Sequence, residues 1–300
     1  MKICCIVNDR SGTAASGKKY DLAELFAQRG VTVDVLSTSG GRTITELSKT
    51  AVQKGYDIIV AGGGDGTINA VASQLIGHTS IRLGILPLGT LNHFARDLNI
   101  SFDISKAVDI ICAGYSEAVD VGRVNGSYFL NNSSVGLYPA IVKMRESLQS
   151  GGYSKWWAAA LSSLRILSHF RRLDLEIHLS DGKVIRRKTA LLFVGNNAYE
   201  TSADKLGTRL SLKDGTLWVS MPTSSTRLGL FGSLAKMLFG YERPADTLIF
   251  ETTDLKVVSK KKILTVAADG EVQRLELPLN YSILPQALNV IVPLSDKGTH

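Results

Sequence analysis

The sequence contains few cysteines, and their spacing builds neither a covalent framework nor a metal site. Only Cys4, Cys5 and Cys112 occur in 300 residues. An odd number of cysteines, two of them adjacent within an apolar run, excludes a disulfide scaffold and the paired ligand spacing of a zinc site. We therefore expect a protein of a reducing compartment.

Long hydrophobic runs are also missing. The N-terminal segment MKICCIVNDR holds only the apolar run ICCIV before a polar turn, which is too short for the core of a signal peptide. No stretch approaches the ~18 uninterrupted apolar residues of a membrane-spanning helix. These absences predict a cytoplasmic protein that contacts membranes only peripherally.

Neither sign of charge is scarce, but basic residues exceed acidic ones. Lys and Arg number 34 and Asp and Glu number 27, which gives a formal net charge of +7. This balance favours anionic partners, among them nucleotides and acidic membrane surfaces. The hydrophobic content of 44% is that of an ordinary globular protein, and the length of 300 residues suggests two domains.

The first third of the chain alternates strand-like and helix-like segments. Apolar runs such as KICCIV, VTVDVL and YDIIVAGGG are separated by segments such as DLAELFAQRG and TITELSKTAVQKG. This β-α-β order predicts an α/β N-terminal domain with a mostly parallel sheet over residues 1–118. Ligands of such sheets bind beyond the carboxyl ends of the strands, where residues 8–12, 38, 62–67 and 87–92 fall.

From about Ser116 the pattern changes to short alternating strands separated by turns. Asn125-Gly126 and Asp181-Gly182 lie between such runs and are typical of β-hairpins. We predict a C-terminal antiparallel β-sandwich domain over residues 119–300, interrupted by one helix at residues 155–172. Whether the extreme C-terminus returns to the first domain stays open.

Two familiar phosphate-binding fingerprints fail in this sequence. Residues 12–19, GTAASGKK, nearly match the P-loop, but Lys19 stands where a magnesium-binding hydroxyl is required. The dinucleotide fingerprint G-x-G-x-x-G lacks its third glycine in both frames, at Thr67 and at Asn69. Both failures argue against a Walker-type NTPase and a Rossmann dehydrogenase.

Two Gly-Thr corners follow neighbouring predicted strands, namely GGDGT at residues 63–67 and PLGTLN at residues 87–92. Their backbone N–H groups, their threonine hydroxyls and a helix N-terminus predicted at Thr67 could surround one polyphosphate. Each corner alone equally fits an ordinary strand-to-helix turn. Together, with residues 8–12 beside them, they favour a phosphate site.

The ordered set of motifs resembles the diacylglycerol kinase catalytic-domain family, which includes bacterial lipid kinases and the sphingosine and ceramide kinases. The motifs are GGDGT, PLGTLNHFARDL, VDVGRVNGSYFLNNSSVG, LKDGTLWV and AADGE, which span nearly the whole chain in the expected order. NAD kinases share GGDGT but are not expected to show the later motifs in this arrangement. The resemblance implies a NAD kinase/diacylglycerol kinase-like fold and a lipid kinase that uses ATP and Mg²⁺.

The resemblance also implies roles for individual residues. Glu271 matches the general base, Asp65 is expected to orient magnesium, and Asp120 matches an acid that borders the reaction centre. A structural magnesium ion is expected at Asp214, completed by backbone carbonyls of residues such as Ser211 and Thr216. The expected nucleotide-binding positions are Asn8, Ser11, Gly12, Thr38, Gly63, Gly64, Asp65, Gly66, Thr67, Asn69 and Thr90.

Two positions depart from the family pattern. Asp9 stands where the family has proline, and His93 replaces the acid of the family's G-T-x-N-D motif. A neutral imidazole is a poorer partner than a carboxylate for a hard cation, so activity could be lower or the site arranged differently. His93 equally fits a plain helix-start residue near the pocket.

A lipid substrate must be reached at a bilayer, and aromatic residues beside basic ones suit an anionic membrane interface. A core helix with solvated charge runs explains the same residues equally well. The candidates are Lys155, Trp156, Trp157, Arg171, Arg172, Arg186, Arg187, Lys188, Lys260, Lys261 and Lys262. We expect no nucleic acid among the partners.

Three functions stay open at this point. The leading one is an ATP-dependent kinase of diacylglycerol or a related lipid. The second is a kinase of a soluble metabolite, similar to NAD kinase. The third is a non-catalytic nucleotide- or lipid-binding protein, which His93 and Asp9 suggest.

Overall fold

The computed structural model describes residues 2–9, 20–38, 43–136, 172–200, 208–222 and 247–294. The chain divides into two compact units, one of Met1–Val121 with Pro285–His300 and the other of Gly122–Leu284. The near P-loop with Ser11 and Gly12, and the predicted helix with Lys155, Trp156, Trp157 and Arg171, lie outside the described residues.

A parallel sheet forms the centre of the first unit. Its strands are β1 (Ile3–Val7), β2 (Val33–Ser37), β3 (Ile58–Gly63), β4 (Arg82–Pro87) and the last part of β16 (Leu279–Ile291), in the order β2-β1-β3-β4-β16. All of these neighbours pair in parallel. The helices are α1 (Leu22–Ala27), α2 (Ile44–Gln53), α3 (Asp65–Leu75), α4 (His93–Asp97) and α5 (Ile104–Ala113). The predicted α/β fold is confirmed in this unit.

Local sequence explains these elements. β3 is buried at every position, as expected for a strand of a parallel sheet that helices cover on both faces. α2 begins with a capping box, in which the side chains of Thr43 and Glu46 each accept a hydrogen bond from the other's backbone N–H. Within the described part of the chain, no helix combines the length and the apolar character needed to cross a membrane.

The second unit is built from antiparallel strands. The chain enters it through β5 (Ser116–Val124) and continues with β6 (Ser127–Phe129), β7 (Asn132–Gly136), β8 (Leu173–Leu179), β9 (Val184–Thr189), β10 (Leu191–Asn196), β11 (Leu217–Pro222), β12 (Thr247–Thr252), β13 (Asp254–Ser259), β14 (Ile263–Ala268), β15 (Glu271–Glu276) and the first part of β16. One sheet has the order β16-β13-β8-β9, and the other has the order β12-β11-β10-β7-β14-β15.

The two sheets of the second unit share one hydrophobic core. Alternate residues of each strand enter it, for example Leu175 and Ile177 of β8 and Val219 and Met221 of β11, which are all buried. Two antiparallel sheets that interdigitate their inner faces in this way form a β-sandwich. The predicted C-terminal architecture is therefore confirmed.

The predicted hairpins also form. The Asn125-Gly126 turn joins the paired strands β5 and β6, and Asp181-Gly182 lies between the paired strands β8 and β9. The run KILTVAADGE, interpreted from sequence as one strand segment, instead ends β14 and turns back into β15. The turn residues Asp269 and Gly270 have φ of 48° and 85°, which an Asp-Gly hairpin turn accommodates.

Candidate nucleotide and phosphoryl-transfer site

The carboxyl ends of the parallel strands lie side by side in the first unit. In the register of the sheet, Val7 pairs with Ser37 of β2 and with Gly62 of β3, and Gly63 pairs with Pro87 of β4. The segments that follow these strands therefore begin at one edge of the sheet. This edge gathers the described parts of all the segments that the sequence placed beyond the strand ends.

Asn8 links two of these segments by hydrogen bonds. Its backbone N–H donates to the carbonyl of Gly62 over 3.0 Å, and its Nδ2 donates to Oγ1 of Thr67 over 3.2 Å. The hydroxyl of Thr38 accepts a hydrogen bond of 3.4 Å from the N–H of Asp9. Because proline has no N–H, this last bond depends on the departure from the family pattern at Asp9.

The two Gly-Thr corners touch backbone to backbone. The N–H of Leu88 donates to the carbonyl of Gly63 over 3.1 Å. A Cβ atom on Gly89 would lie 2.3 Å from the Cα of Gly64 and 2.6 Å from Oδ1 of Asn92. No side chain fits there, so glycine is required at position 89 for the close approach of the two corners.

Asn92 shapes the second corner from within. It is 5% exposed, and its backbone is left-handed with φ of 49°. Its Oδ1 accepts a hydrogen bond from the N–H of Gly89 over 3.0 Å, and its Nδ2 donates to the carbonyls of Gly89 and Pro87 over 2.9 and 3.2 Å. An asparagine that tolerates the left-handed region and bonds its own loop is the residue type such a turn needs.

Asp65 joins the two corners through its carboxylate. It is the first residue of α3, and its Oδ1 accepts a hydrogen bond of 3.2 Å from the N–H of Phe94 in α4. α4 has no side-chain cap from its own N-cap residue Asn92, so Asp65 supplies the missing acceptor. The helix starts at Asp65 rather than at the predicted Thr67, and an acidic residue in the first turn interacts favourably with the helix dipole.

The other predicted residues of the first unit differ in exposure. Thr90 is exposed and Gly66 is partly buried, whereas Asn69 is buried and its Oδ1 accepts a hydrogen bond of 3.2 Å from Ser73 one turn later in α3. His93 is the exposed first residue of α4. Thr90 and Gly66 are therefore accessible to a ligand at this edge, and Asn69 bonds within its own helix.

Asp120 is held by the backbone of β16. It is 1% exposed, and its Oδ1 accepts a hydrogen bond of 2.8 Å from the N–H of Gln286. The backbone of Gln286 is itself left-handed, with φ of 48°. A buried carboxylate with a backbone donor is fixed in orientation.

Glu271 lies in the second unit, directly after the Asp269-Gly270 turn. It opens β15 and pairs with Ala268 across the turn. Its side chain is exposed to solvent, yet the groups around it remove part of its hydration and raise its pKa above the ordinary value of 4.5. A raised pKa brings a carboxylate closer to the range in which a general base is effective.

The predicted magnesium loop precedes β11 and is tied to Asn197. The N–H of Asn197 donates to the carbonyl of Thr216 over 2.9 Å, and the N–H of Thr216 donates to Oδ1 of Asn197 over 3.3 Å. Ser211 accepts a hydrogen bond from the N–H of Lys213 over 3.1 Å, and Asp214 is exposed. The loop thus exposes the carboxylate of Asp214, and the carbonyl of Thr216, a predicted ligand, already accepts one hydrogen bond.

This donor set fits a magnesium ion in its chemistry. Magnesium takes oxygen ligands, keeps several waters and needs only one or two protein carboxylates. Within the described ranges, no group of three or more His, Cys, Asp or Glu residues could hold a metal. A cation at Asp214 would therefore be completed by carbonyl and water oxygens.

Three residues that hold loops in place by several hydrogen bonds were not predicted from the sequence, namely Asn92, Asp269 and Arg209. Asn92 carried a local signal, since an asparagine that follows a Gly-Thr corner is a common left-handed turn residue. Asp269 carried the Asp-Gly hairpin signal. Arg209 carried none, because its contacts with Leu130 and Asn131 join positions that are 79 and 78 residues apart.

Comparison with known families covers most of the chain. Residues 2–124 match the family model "Diacylglycerol kinase catalytic domain". Residues 147–292 match the family model "YegS C-terminal NAD kinase beta sandwich-like domain". The chain is 30% identical over 252 residues to "Diacylglycerol kinase" of Staphylococcus aureus (strain bovine RF122 / ET3-1), which covers 82% of this chain and 78% of that protein. This chain belongs to the diacylglycerol kinase family. The predicted family is thereby confirmed.

One more relative and two solved structures are also similar to this chain. A "Diacylglycerol kinase" of Staphylococcus carnosus (strain TM300) is 29% identical over 273 residues, which is 90% of this chain and 88% of that protein. A crystal structure described as a diacylglycerol kinase from Bacillus anthracis str. Sterne superposes with a TM-score of 0.68 at 21% identity, covering 98% of this chain and 97% of that one. A second structure from the same organism gives a TM-score of 0.71 at 23% identity over 98% of both chains. These solved structures share the fold.

Proposed function

We propose that this protein is an ATP-dependent lipid kinase that transfers the γ-phosphate of ATP to a hydroxyl group of diacylglycerol or a related lipid. The observation that carries the proposal is the edge of the first unit, where GGDGT and PLGTLN meet backbone to backbone beside Asn8 and Thr38. Relatives of this chain are named "Diacylglycerol kinase", which supports the same function.

The triphosphate of ATP binds at this edge. The N-terminus of α3 and the glycine-rich backbone of both corners present N–H groups, which attract phosphate oxygens. The hydroxyl of Thr90 is exposed and that of Thr67 is fixed by Asn8, so both are suited to orient phosphate groups. Phosphoryl transfer depends mainly on such positioning and on charge neutralisation.

Asp65 places a carboxylate inside a phosphate-binding corner, where a bound cation would balance its charge. One of its oxygens accepts the N–H of Phe94, and the carboxylate has further lone pairs for the water shell of a magnesium ion. Bound magnesium would neutralise charge on the phosphate oxygens. Asp65 thus both joins the two corners and holds a hard cation, and Asp214 holds a second, structural one.

Glu271 accepts the proton of the lipid hydroxyl, and Asp120 borders the reaction centre. Partial loss of hydration at Glu271 raises its pKa and so makes it a better proton acceptor than a fully hydrated glutamate. Asp120 is fixed by the N–H of Gln286 and does not need to reorient during the reaction. His93 is exposed, and it leaves the family's acid position without a carboxylate. We therefore expect Asp65 to hold the metal ion without help from a carboxylate at position 93.

A transfer assay tests this function. Purified protein receives γ-labelled ATP and magnesium with vesicles that contain diacylglycerol, and in a second reaction with NAD. Label that partitions into the organic phase with lipid supports the proposal. Label that stays in the aqueous phase on NAD supports a soluble-metabolite kinase instead, and no transfer to either acceptor supports a non-catalytic binding protein.

We further propose that Lys260, Lys261 and Lys262 contact anionic membrane. All three are exposed and line a recess of 620 Å³ together with Lys256, Leu277 and Pro278. Arg186 is a weaker candidate because its Nε already pairs with Glu176 Oε2 over 2.8 Å and lowers the pKa of that carboxyl group. Each lysine at an anionic surface contributes about 1 kcal/mol to binding.

Vesicle sedimentation tests this contact. Replacing the three lysines by glutamine should reduce binding to vesicles that contain anionic lipid, and added salt should reduce the difference. A matched variant replaces three exposed lysines of the first unit, Lys49, Lys54 and Lys106, so that the loss of net charge is the same. Equal binding by the two variants would argue against a local membrane surface.

A further inference from the structure

The loop of residues 130–132 receives an unusual concentration of hydrogen bonds from one side chain. Asp269 accepts the N–H of Leu130 at Oδ2 over 2.6 Å, and it accepts the N–H groups of Asn131 and Asn132 at Oδ1 over 2.8 and 3.1 Å. The N–H of Asp269 returns a hydrogen bond of 2.9 Å to the carbonyl of Asn132. A carboxylate that accepts three consecutive N–H groups fixes the backbone of that loop.

The carbonyl side of the same loop is bound by a cation. The guanidinium of Arg209 donates to the carbonyl of Leu130 over 2.5 Å and to Oδ1 of Asn131 over 3.1 Å. Asn196 donates to the carbonyl of Leu130 over 2.8 Å, and the hydroxyl of Tyr199 donates to the carbonyl of Asn131 over 3.0 Å. The peptide group that joins Leu130 to Asn131 therefore lies between an anion at its N–H and a cation at its C=O, which strengthens both bonds.

Burial and charge act in opposite directions on Asp269. Burial raises the pKa of Asp269 to about 6, whereas the three N–H groups and the positive charge of Arg209 favour its ionised form. Loss of Arg209 removes one of the influences that keep this carboxyl group ionised. Any fraction of Asp269 that becomes neutral holds the loop less well, because a neutral carboxyl group is a poorer acceptor.

The Asp269 turn leads directly to Glu271. Asp269 and Gly270 are the only residues between β14 and β15, and Ala268 pairs with Glu271 across them. Fixing the side chain and the N–H of Asp269 therefore fixes the start of β15, from which the Glu271 side chain projects. A general base has to stay within hydrogen-bond reach of the proton that it accepts.

We propose that Arg209 and Asp269 are positioning residues which hold the Glu271 turn in place through the peptide groups of residues 130–132. The part played by Glu271 rests on the proposed lipid kinase function, whereas the hold on the loop does not. Arg209 acts at a distance from the base, through the loop that Asp269 grips. Neither residue needs to contact the substrate.

The experiment compares Arg209→Gln with Arg274→Gln in the full-length protein. Arg274 is an exposed arginine of β15, the strand that Glu271 opens, so its replacement removes the same charge without touching residues 130–132. Two readouts are recorded, namely hydrogen exchange at the amides of residues 130–132 and the steady-state kinetics of lipid phosphorylation. Arg209→Lys, which keeps the charge but loses the forked donor, serves as the conservative variant.

We expect the Arg209→Gln amides of residues 130–132 to exchange at least about tenfold faster than wild type. Its kcat should fall about tenfold or more while KM for ATP changes less than about twofold, because misplacement of the base impairs the chemical step. Arg209→Lys should give values between those of Arg209→Gln and wild type. Arg274→Gln should match wild type in both readouts.

Two results would overturn the proposal. Unchanged exchange at residues 130–132 in both Arg209 variants would show that Arg209 does not hold the loop. Faster exchange with an unchanged kcat would show that the loop does not position Glu271. If the wild-type protein transferred no phosphate to lipid, the proposed function would fail, and the exchange rates alone would decide whether Arg209 holds the loop.

Discussion

The Asp-Gly pair at residues 65–66 in the first unit and the one at residues 269–270 in the second use the same carboxylate group for different purposes. Asp65 opens helix α3 and accepts a hydrogen bond of 3.2 Å from Phe94, whereas Asp269 opens a hairpin turn and accepts three N–H groups over 2.6 to 3.1 Å. A carboxylate has about four lone-pair sites. Asp65 therefore has capacity for a ligand, while Asp269 spends most of its capacity on the fold.

The comparison predicts that Asp65→Asn separates activity from stability. Lipid phosphorylation should fall about 10²–10³-fold because the amide cannot neutralise a metal ion. The free energy of unfolding should change by less than about 0.5 kcal/mol, since the amide oxygen still accepts the N–H of Phe94. Kinetics and thermal unfolding of the variant measure the two effects.

A matched control for Asp65→Asn is Asp103→Asn. Asp103 caps α5 by accepting the N–H of Lys106 over 3.1 Å, and asparagine caps helices equally well. This variant should keep full activity. A comparable loss of activity in both variants would contradict a metal-binding role for Asp65.

Asp269→Asn should differ from Asp65→Asn by losing stability clearly as well as activity. The amide that replaces one oxygen would face a backbone N–H, and leaving buried donors unsatisfied costs about 1–3 kcal/mol. We expect a lower melting temperature together with a lower kcat, measured on the same preparation. A variant as stable as wild type would contradict the view that this carboxylate serves the fold.

Gly89→Ala tests whether the Asp65 corner depends on close backbone approach. The added methyl group would meet the backbone of Gly64, and such overpacking costs about 1–3 kcal/mol. Gly126→Ala is the control, because a Cβ atom at that hairpin position meets no atom within 4 Å. Chemical denaturation should separate the two variants, and equal stabilities would count against the contact.

The smallest expected effect is the pH dependence of Glu271. The general base must be ionised, so kcat/KM should fall as the pH is lowered through its raised pKa. The acidic limb of the profile should therefore have its midpoint above 4.5, the ordinary value of this carboxyl group. A profile that stays level down to pH 4.5 would show that Glu271 is not the base or that its pKa is not raised.

Local signals predicted much of the fold and part of the site. Apolar runs with β-α-β order predicted the parallel sheet, and Asn-Gly and Asp-Gly pairs predicted two hairpins, because these features depend on neighbouring residues. The bond between Asn8 and Thr67 spans 59 positions, but both residues follow parallel strands, and the common sheet edge made their meeting predictable.

The grip of Asp269 on residues 130–132 was not predictable in the same way. The bond from Leu130 to Asp269 joins positions 139 apart. They lie beside the ends of the paired antiparallel strands β7 and β14, and no local pattern specifies that these two strands are neighbours in the sheet. Arg209 reaches the same loop from a segment without periodicity. The family motif directed attention to Glu271, although Asp269 two residues earlier makes the contacts that define its turn.

The most direct test of the metal-binding role assigned to Asp65 is the affinity for a divalent cation in the presence of ATP. Titration of Mn²⁺ into protein with bound ATP, followed by the paramagnetic resonance signal of free Mn²⁺, reports that affinity. The account predicts equal affinity for wild type and Asp103→Asn, and affinity at least about tenfold weaker for Asp65→Asn. Equal affinity in all three proteins would contradict the assignment of Asp65 as the residue that holds the metal.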